Sequence, residues 1–291
     1  MAQATESRRK RLIQAALIIT ILIFQFVASI IVVNLLGIRN SILNFQNLTF
    51  GNKLVIAGAY VSREAVILVI CVLAAMFIFR QPMGRALRDL GLAGNIKTGW
   101  LVGLVASLPM LIILSVVGHA TLDTNHLLFG VLVFSIVPAF AEEFVYRGFT
   151  FGLMYRRVRV GFWLSIIFPT IFFAVGHLYQ AHGIWSAIGI LAVTASGSVW
   201  FAWLYVRWDY NLWVPISMHL LMDAWATMFV IDNASGSAAL GSTASNVARA
   251  LTILLSIVLT LWHCDWDFRR ALFTRPFEPP LVAKASGITS S

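Results

Sequence analysis

Six ionisable side chains with complementary chemistry fall inside apolar stretches of this sequence. They are Glu142, Glu143, Arg147, His177, His219 and Asp223. An ionisable group is costly in the middle of a bilayer unless it is paired or faces a polar cavity. Adjacent carboxylates, a cation one helical turn further on and two imidazoles are also groups that acid–base catalysis uses. The set therefore indicates a polar, reactive site rather than packing alone.

The spacing of these residues predicts which of them share a helix face. Glu143 and Arg147 are four residues apart, with the acid N-terminal to the base, which is the better orientation for an ion pair. Glu142 lies about 100° round the helix from Glu143 and cannot use the same arginine equally well. We expect one carboxylate to be held ionised by the guanidinium and the other to be desolvated, the difference that acid–base catalysis requires. His219 and Asp223 are also four apart, so they point the same way.

The elements that must position these residues are membrane-spanning helices. Of the 291 residues, 59% are apolar and 11% are charged, whereas a soluble domain is about half apolar and about a quarter charged. Apolar runs of roughly 20 residues follow one another, each long enough to cross a hydrocarbon core of about 30 Å. This composition excludes a secreted disulfide scaffold, a disordered chain and a soluble enzyme. It leaves a transporter, a channel, a membrane enzyme or a membrane scaffold.

The apolar runs predict an all-α, polytopic membrane helix bundle of about eight transmembrane helices. The basic residues behind the net charge of +9 cluster in alternate connectors, and basic connectors stay in the cytoplasm. We therefore expect both termini to be cytoplasmic, and we expect no nucleic acid to bind. The predicted spans, with boundaries good to a few residues, are 12–36, 54–79, 98–118, 127–155, 162–178, 184–206, 211–231 and 246–264.

The candidate residues of three spans are predicted to lie at one depth in the membrane. The short basic turn 156–161 makes the fourth and fifth spans an antiparallel hairpin. At a rise of about 1.5 Å per residue, Glu142 lies about 20 Å and His177 about 22 Å above that turn. By the same rise Asp223 lies about 17 Å up the seventh span, with His219 somewhat lower. One polar cavity would need such a common layer.

Three motifs on successive spans resemble those of a known family. Residues 142–147 fit the pattern EExxxR, residues 173–177 fit FxxxH, and residues 219–223 fit HxxxD/N. In this order they resemble the CPBP family of intramembrane proteases, which includes type II CAAX prenyl endopeptidases and bacteriocin-processing or self-immunity proteins. The resemblance covers about residues 98–231. It implies hydrolysis of a peptide bond in a membrane-associated peptide or protein, in a bacterial cell membrane.

The resemblance also implies a role for each motif residue. Glu142 would be the general base that activates a water molecule, and Glu143 and Arg147 would support the site. His177 would help to position that water. For Arg147 alone, a structural or substrate-orienting role is favoured over a chemical one.

For the third motif the resemblance leaves two mechanisms open. His219 and Asp223 would either bind a metal or stabilise the oxyanion. In the first case one divalent metal such as zinc would have Glu142, His177 and His219 as ligands, with one position open. In the second case a glutamate mechanism would work without metal. The HExxH spacing of zinc proteases is absent.

The third motif departs from the eukaryotic CAAX endopeptidases in its last residue. They have Asn at the position where this chain has Asp223. An amide donates hydrogen bonds and a carboxylate accepts them, so an oxyanion role for Asp223 would require it to be protonated. Otherwise Asp223 would orient His219 or bind a metal. Specificity for prenylated substrates is therefore the weakest implication of the resemblance.

The predicted organisation has three parts. Residues 1–97 form an N-terminal tail and two spans, residues 98–231 form the catalytic core, and residues 232–291 form the last span and a disordered cytoplasmic tail. Arg63 and Glu64, inside the second span, are interpreted as a local or interfacial pair outside the site.

Two other functions fit the same residues. A noncatalytic membrane scaffold or bacteriocin-immunity protein on the same fold would use the charged residues only to hold helices together. A secondary transporter would use them as a proton relay, although the chain shows no internal repeat of the kind on which many transporters are built. The sequence does not indicate an oligomeric state.

Overall fold

A computed structural model of the chain describes residues 2–35, 48–120, 129–230 and 242–264. In these ranges almost every residue is helical. The helices are α1 (Ala2–Leu35), α2 (Phe50–Phe79), α3 (Met83–Asp89), α4 (Ile96–Val117), α5 (a continuous run of Leu132–Ile136, Val137–Glu142, Glu143–Gly152 and Met154–Val158), α6 (Phe162–Gly176), α7 (Ile184–Arg207), α8 (Trp213–Met228) and α9 (Thr243–His263).

Within the described ranges, six helical stretches are long and apolar enough to cross a membrane. They coincide with six of the eight predicted spans, so the all-α membrane bundle is confirmed. The count of eight spans and the cytoplasmic termini stay predictions, and the predicted tail beyond residue 264 lies outside the described residues. The six stretches are Arg8–Val32, Phe50–Phe79, Ile96–Val117, Phe162–Gln180, Ile184–Arg207 and Thr243–His263.

The fourth and seventh predicted spans correspond to α5 and α8, which lie inside the bundle. α8 has 16 residues, about 24 Å at 1.5 Å per residue, which is shorter than a hydrocarbon core of about 30 Å. α5 packs against α1, α2, α6, α7 and α8, and residues 147–155 are all buried. The outer helices instead expose large apolar side chains, among them Phe24, Phe77, Leu164 and Trp185.

Small residues bring α4 close to α8. Gly99 and Gly103 are four apart on α4, and a Cβ built on Gly103 would lie 2.3 Å from Oγ of Ser217 on α8. The Ser217 hydroxyl donates a hydrogen bond to the carbonyl of Gly99 at 2.7 Å. Close approach at small residues and side-chain hydrogen bonds are the usual means of joining helices in a membrane. This contact sets the distance between α4 and the helix that carries the third motif.

Two short features connect the ends of the helices. Residues His119–Ala120 pair antiparallel with Phe229–Val230, which joins the end of α4 to the end of α8. At the other end Gly161, with φ of 88°, lies in the turn between α5 and α6, and α6 packs back against α5. The left-handed conformation at Gly161 is one that glycine adopts without a steric penalty. The turn therefore gives the antiparallel hairpin that the sequence predicts.

Candidate active site

The two adjacent glutamates lie where α5 changes its hydrogen-bonding pattern. Val137–Glu142 is α-helical, and Glu143–Gly152 has the wider i→i+5 turns of a π-helix. The sequence pattern does not indicate this change, because apolar periodicity separates helix from strand but not one helical pitch from another.

Glu143 and Arg147 form a fully buried ion pair. Nη1 of Arg147 donates to Oε1 of Glu143 at 2.9 Å, and neither side chain has any exposed surface. The guanidinium also lies 4.5 Å from the ring centre of Phe173 on α6 and 5.1 Å from that of Phe201 on α7. Aromatic faces attract a desolvated cation. The pair therefore links α5 to two neighbouring helices.

His219 of α8 is held by the same carboxylate. Nδ1 of His219 lies 2.8 Å from Oε1 of Glu143, and because a carboxylate accepts, the imidazole donates from Nδ1. Its ring stacks on Phe201 with centroids 5.3 Å apart. The other ring nitrogen, Nε2, lies 3.9 Å from Oε2 of Glu142 and 3.4 Å from Oδ2 of Asp223. His219 thus has one side fixed by Glu143 and the other side facing two carboxylates.

Glu142 has a different environment from its neighbour. Its side chain is 29% exposed, whereas that of Glu143 is 0% exposed. Among the described residues Glu142 makes no hydrogen bond, and its ion-pair contact is the one with His219. The sequence predicts that the carboxylate without the guanidinium is the desolvated one, and this is wrong. In the structure the guanidinium-paired Glu143 is fully buried, because its arginine compensates the charge there, and Glu142 is partly exposed.

His177 lies at the C-terminal end of α6, on the edge of this cluster. Its Nδ1 donates to the carbonyl oxygen of Phe173 at 2.7 Å. No hydrogen bond or ion pair joins His177 to Glu142 or His219 in the described part of the chain. The ring centre of Phe173 lies 4.6 Å from that of His177 and 6.4 Å from that of His219, so Phe173 links His177 to the cluster.

The sequence interpretation sets one ionisable pair, Arg63 and Glu64, outside the site and does not name Arg249. All three residues lie inside predicted spans. In the structure the helix of the pair, α2, packs against the segments of α5 that carry the two glutamates. The criterion that identifies the six motif residues, applied to the last span, would also have found Arg249.

Among the described residues, no group of three or more His, Cys, Asp or Glu side chains is arranged to hold a metal ion. The predicted metal and its ligand set of Glu142, His177 and His219 stay a prediction. We derive no chemical step through a metal.

Comparison with known proteins identifies the segment that contains all six motif residues. Residues 124–225 match the family model described as Rce1-like, type II CAAX prenyl endopeptidase. Over these residues the chain is similar to that family. The resemblance that the three motifs indicate is thereby confirmed, and the match falls within residues 98–231. With the six apolar helices of the described ranges, the match to a membrane protein family makes the chain a multi-pass integral membrane protein.

A curated relative is named "Putative membrane peptidase YdiL", from Bacillus subtilis (strain 168). It is 29% identical over 102 residues, which span 35% of this chain and 37% of that protein. The match therefore covers little more than a third of the relative. No solved structure matches the chain.

Proposed function

We propose that this chain is an intramembrane endopeptidase, in which Glu142 activates a water molecule that attacks a peptide bond of a membrane-associated peptide or protein. The observation that carries the proposal is the contrast between the two glutamates: Glu143 is buried and bonded twice, while Glu142 is partly open and has free lone pairs. A general base needs an oxygen that no other donor occupies. The family match supports a hydrolase acting at the membrane.

In the proposed reaction one proton moves to Glu142 and later returns. Glu142 takes a proton from water as the water oxygen bonds to the carbonyl carbon, which leaves a tetrahedral oxyanion. The carbon–nitrogen bond then breaks, and Glu142 returns the proton to the leaving nitrogen. The products are a new carboxyl end and a new amine.

His219 and His177 would supply the donors that this reaction needs. When His219 is protonated, its Nε2–H lies between Glu142 and Asp223, where it would donate to the developing oxyanion. Donors that are already in place where charge develops give the largest electrostatic contribution to catalysis. Glu143 keeps the His219 ring in position, and Asp223 stabilises its charged form. His177 would position the water from the side of α6.

The test compares wild type with Glu142→Gln, which keeps the side-chain size and removes the basic oxygen. Asp89→Asn is the matched control, because it also neutralises a carboxylate, one paired with Arg157 at 3.5 Å at the other end of α5. Sequencing of new N termini in membrane fractions identifies substrates. We expect cleavage products with wild type and Asp89→Asn and none with Glu142→Gln.

For the purified proteins, loss of a general base is expected to lower the rate by about 10²- to 10⁴-fold. Thermal unfolding in detergent checks that the Glu142→Gln protein is folded. Undiminished cleavage by a folded Glu142→Gln protein would contradict the mechanism. Full biological function of this variant without any cleavage would favour a scaffold or immunity protein, and substrate accumulation in vesicles would favour a transporter.

A further inference from the structure

Arg63 and Glu64 are two ionisable residues near the middle of α2, which is an apolar helix of 30 residues. They pair with each other through Nη2 of Arg63 and Oε1 of Glu64. An ionisable residue inside a membrane helix is by default a candidate for function, because placing its charge in the membrane costs free energy. The proposed reaction uses neither residue.

The cation is the more accessible member of this pair. The Glu64 side chain is 8% exposed and that of Arg63 is 21% exposed. The guanidinium lies 5.1 Å from the ring centre of Tyr60, one turn earlier on the same helix. Tyr60 itself packs against the apolar cluster of Ala57 and Val133, which joins α2 to α5. Glu64 and Tyr60 therefore hold Arg63 in place on the side of α2 that faces α5.

The pair lies on a helix that packs along the part of α5 with the two glutamates. Phe50, the first residue of α2, contacts Phe129 with ring centres 5.3 Å apart. α2 also packs directly against the α5 segments Val137–Glu142 and Glu143–Gly152. Arg63 is thus on a helix next to Glu142.

Arg63 keeps donors for a second acceptor. Its Nε is buried and has no hydrogen-bond partner among the described residues, and Glu64 occupies Nη2. A guanidinium presents five N–H groups in a planar fork that matches the two oxygens of a carboxylate. A cation that is held in place, partly exposed and still able to donate is suited to an anionic ligand.

We propose that Arg63 binds a carboxylate of the peptide that enters the cavity beside Glu142. The inference rests on the proposed peptidase function for the identity of the ligand as a peptide. Glu64 and Tyr60 position the guanidinium, so Arg63 contributes to substrate affinity rather than to the chemical step. The carboxylate can be the C-terminal group of the peptide or an aspartate or glutamate side chain, since both present the same two oxygens.

Peptide binding tests this proposal without requiring cleavage. The full chain carrying Glu142→Gln is placed in nanodiscs, and energy transfer from its ten tryptophans to N-dansyl tetrapeptides reports binding. The peptides are AVLF as free acid, AVLF as amide, and AVEF as amide. Four proteins are compared: the Glu142→Gln chain itself, and the same chain with Arg63→Gln, with Arg63→Lys or with Arg157→Gln as a second substitution. Arg157, paired with Asp89 away from the cavity, is the matched control.

We expect a carboxylate-bearing peptide to bind about tenfold more tightly than the AVLF amide, because a hydrogen bond to a charged group contributes roughly one factor of ten or more. Arg63→Gln should abolish this preference, Arg63→Lys should keep part of it, and Arg157→Gln should leave it unchanged. Preference for the free acid identifies the C terminus as the ligand. Preference for AVEF amide identifies a side chain.

Equal affinity for all three peptides in the background protein would overturn the proposal, even if Arg63→Gln did not fold. So would a loss of affinity in Arg63→Gln that is the same for acid and amide. Because every protein in this assay lacks the Glu142 carboxylate, its outcome does not depend on whether Glu142 is the base. A failure here would therefore leave the cleavage experiment to decide the proposed function by itself.

Discussion

Nδ1 of His219 lies 2.8 Å from Oε1 of Glu143, and this contact joins the first and third motifs across two helices. The same oxygen accepts from Arg147 at 2.9 Å. One buried carboxylate oxygen therefore fixes both an arginine of its own helix and a histidine of α8. In the proposed mechanism Glu143 is the fixed partner that positions the site, and the neighbouring Glu142 remains open to act as the base.

Removing the arginine from this arrangement should strongly destabilise the protein. Arg147→Met leaves the buried Glu143 without its cation, and breaking a buried pair in this way costs about 3–5 kcal/mol. The double variant Glu143→Gln with Arg147→Met leaves no unpaired charge and should be more stable than the single variant. Thermal unfolding in detergent measures both. Equal melting temperatures for the two variants would show that the pair is not electrostatically coupled.

Loss of the Phe201 ring, which stacks on His219, should lower the cleavage rate more than the stability. Phe201 stacks on His219 and also lies against the Arg147 guanidinium. Phe201→Leu removes both contacts, each of which contributes about 0.5–2 kcal/mol, and we expect the cleavage rate to fall about tenfold or more. Phe149→Leu is the control, because Phe149 is fully buried on α5 and makes no ring contact with the site among the described residues. Equal rate losses in the two variants would indicate a general packing defect.

Local patterns account for the part of the site that the sequence predicts. Apolar length locates the outer helices, and the four-residue spacing places Glu143 beside Arg147 and His219 beside Asp223. These predictions need the geometry of only one helix at a time. The antiparallel hairpin follows from the shortness of its basic turn.

Contacts between helices account for the part that the sequence does not predict. The bond from His219 to Glu143 depends on how α5 and α8 cross, and the side chains that set the crossing are small residues with no apolar periodicity. The sequence also does not predict that α8 lies inside the bundle, because an enclosed helix and a lipid-facing helix are equally apolar. Arg63 and Glu64 look like an isolated pair in the sequence, and only the packing of α2 against α5 shows that they lie on a helix next to the two glutamates.

The carboxylate of Asp223 should be replaceable by an amide but not by an apolar side chain. Oδ2 of Asp223 lies 3.4 Å from Nε2 of His219, and an amide oxygen can accept from that nitrogen as well. Asp223→Asn should therefore retain cleavage within about tenfold of wild type. Asp223→Leu should lose about 10²-fold or more, because Nε2 then has no acceptor on its own helix. The measurement is the cleavage rate of each purified variant with one substrate peptide. An equal loss of rate in Asp223→Asn and Asp223→Leu would mean that the negative charge of Asp223 itself is required.

The contact between α4 and α8 should control the site from a distance. A Cβ on Gly103 would lie 2.3 Å from Oγ of Ser217, which is closer than real Cβ contacts, so Gly103→Ala must move α8 away from α4. Ser217 is two residues before His219, and a displacement of about 1 Å at a catalytic group can lower a rate about 10²-fold. We expect Gly103→Ala to reduce cleavage on that scale while the protein still folds.

Two further variants test whether this loss comes from the helix contact. Gly197→Ala on α7 is the control, since a Cβ there meets nothing within 4 Å, and it should leave the rate unchanged. The double variant Gly103→Ala with Ser217→Gly removes the colliding hydroxyl and should recover most of the activity, although the hydrogen bond from Ser217 to Gly99 is lost. If the double variant is as slow as Gly103→Ala alone, the spacing of α4 and α8 is not what positions His219.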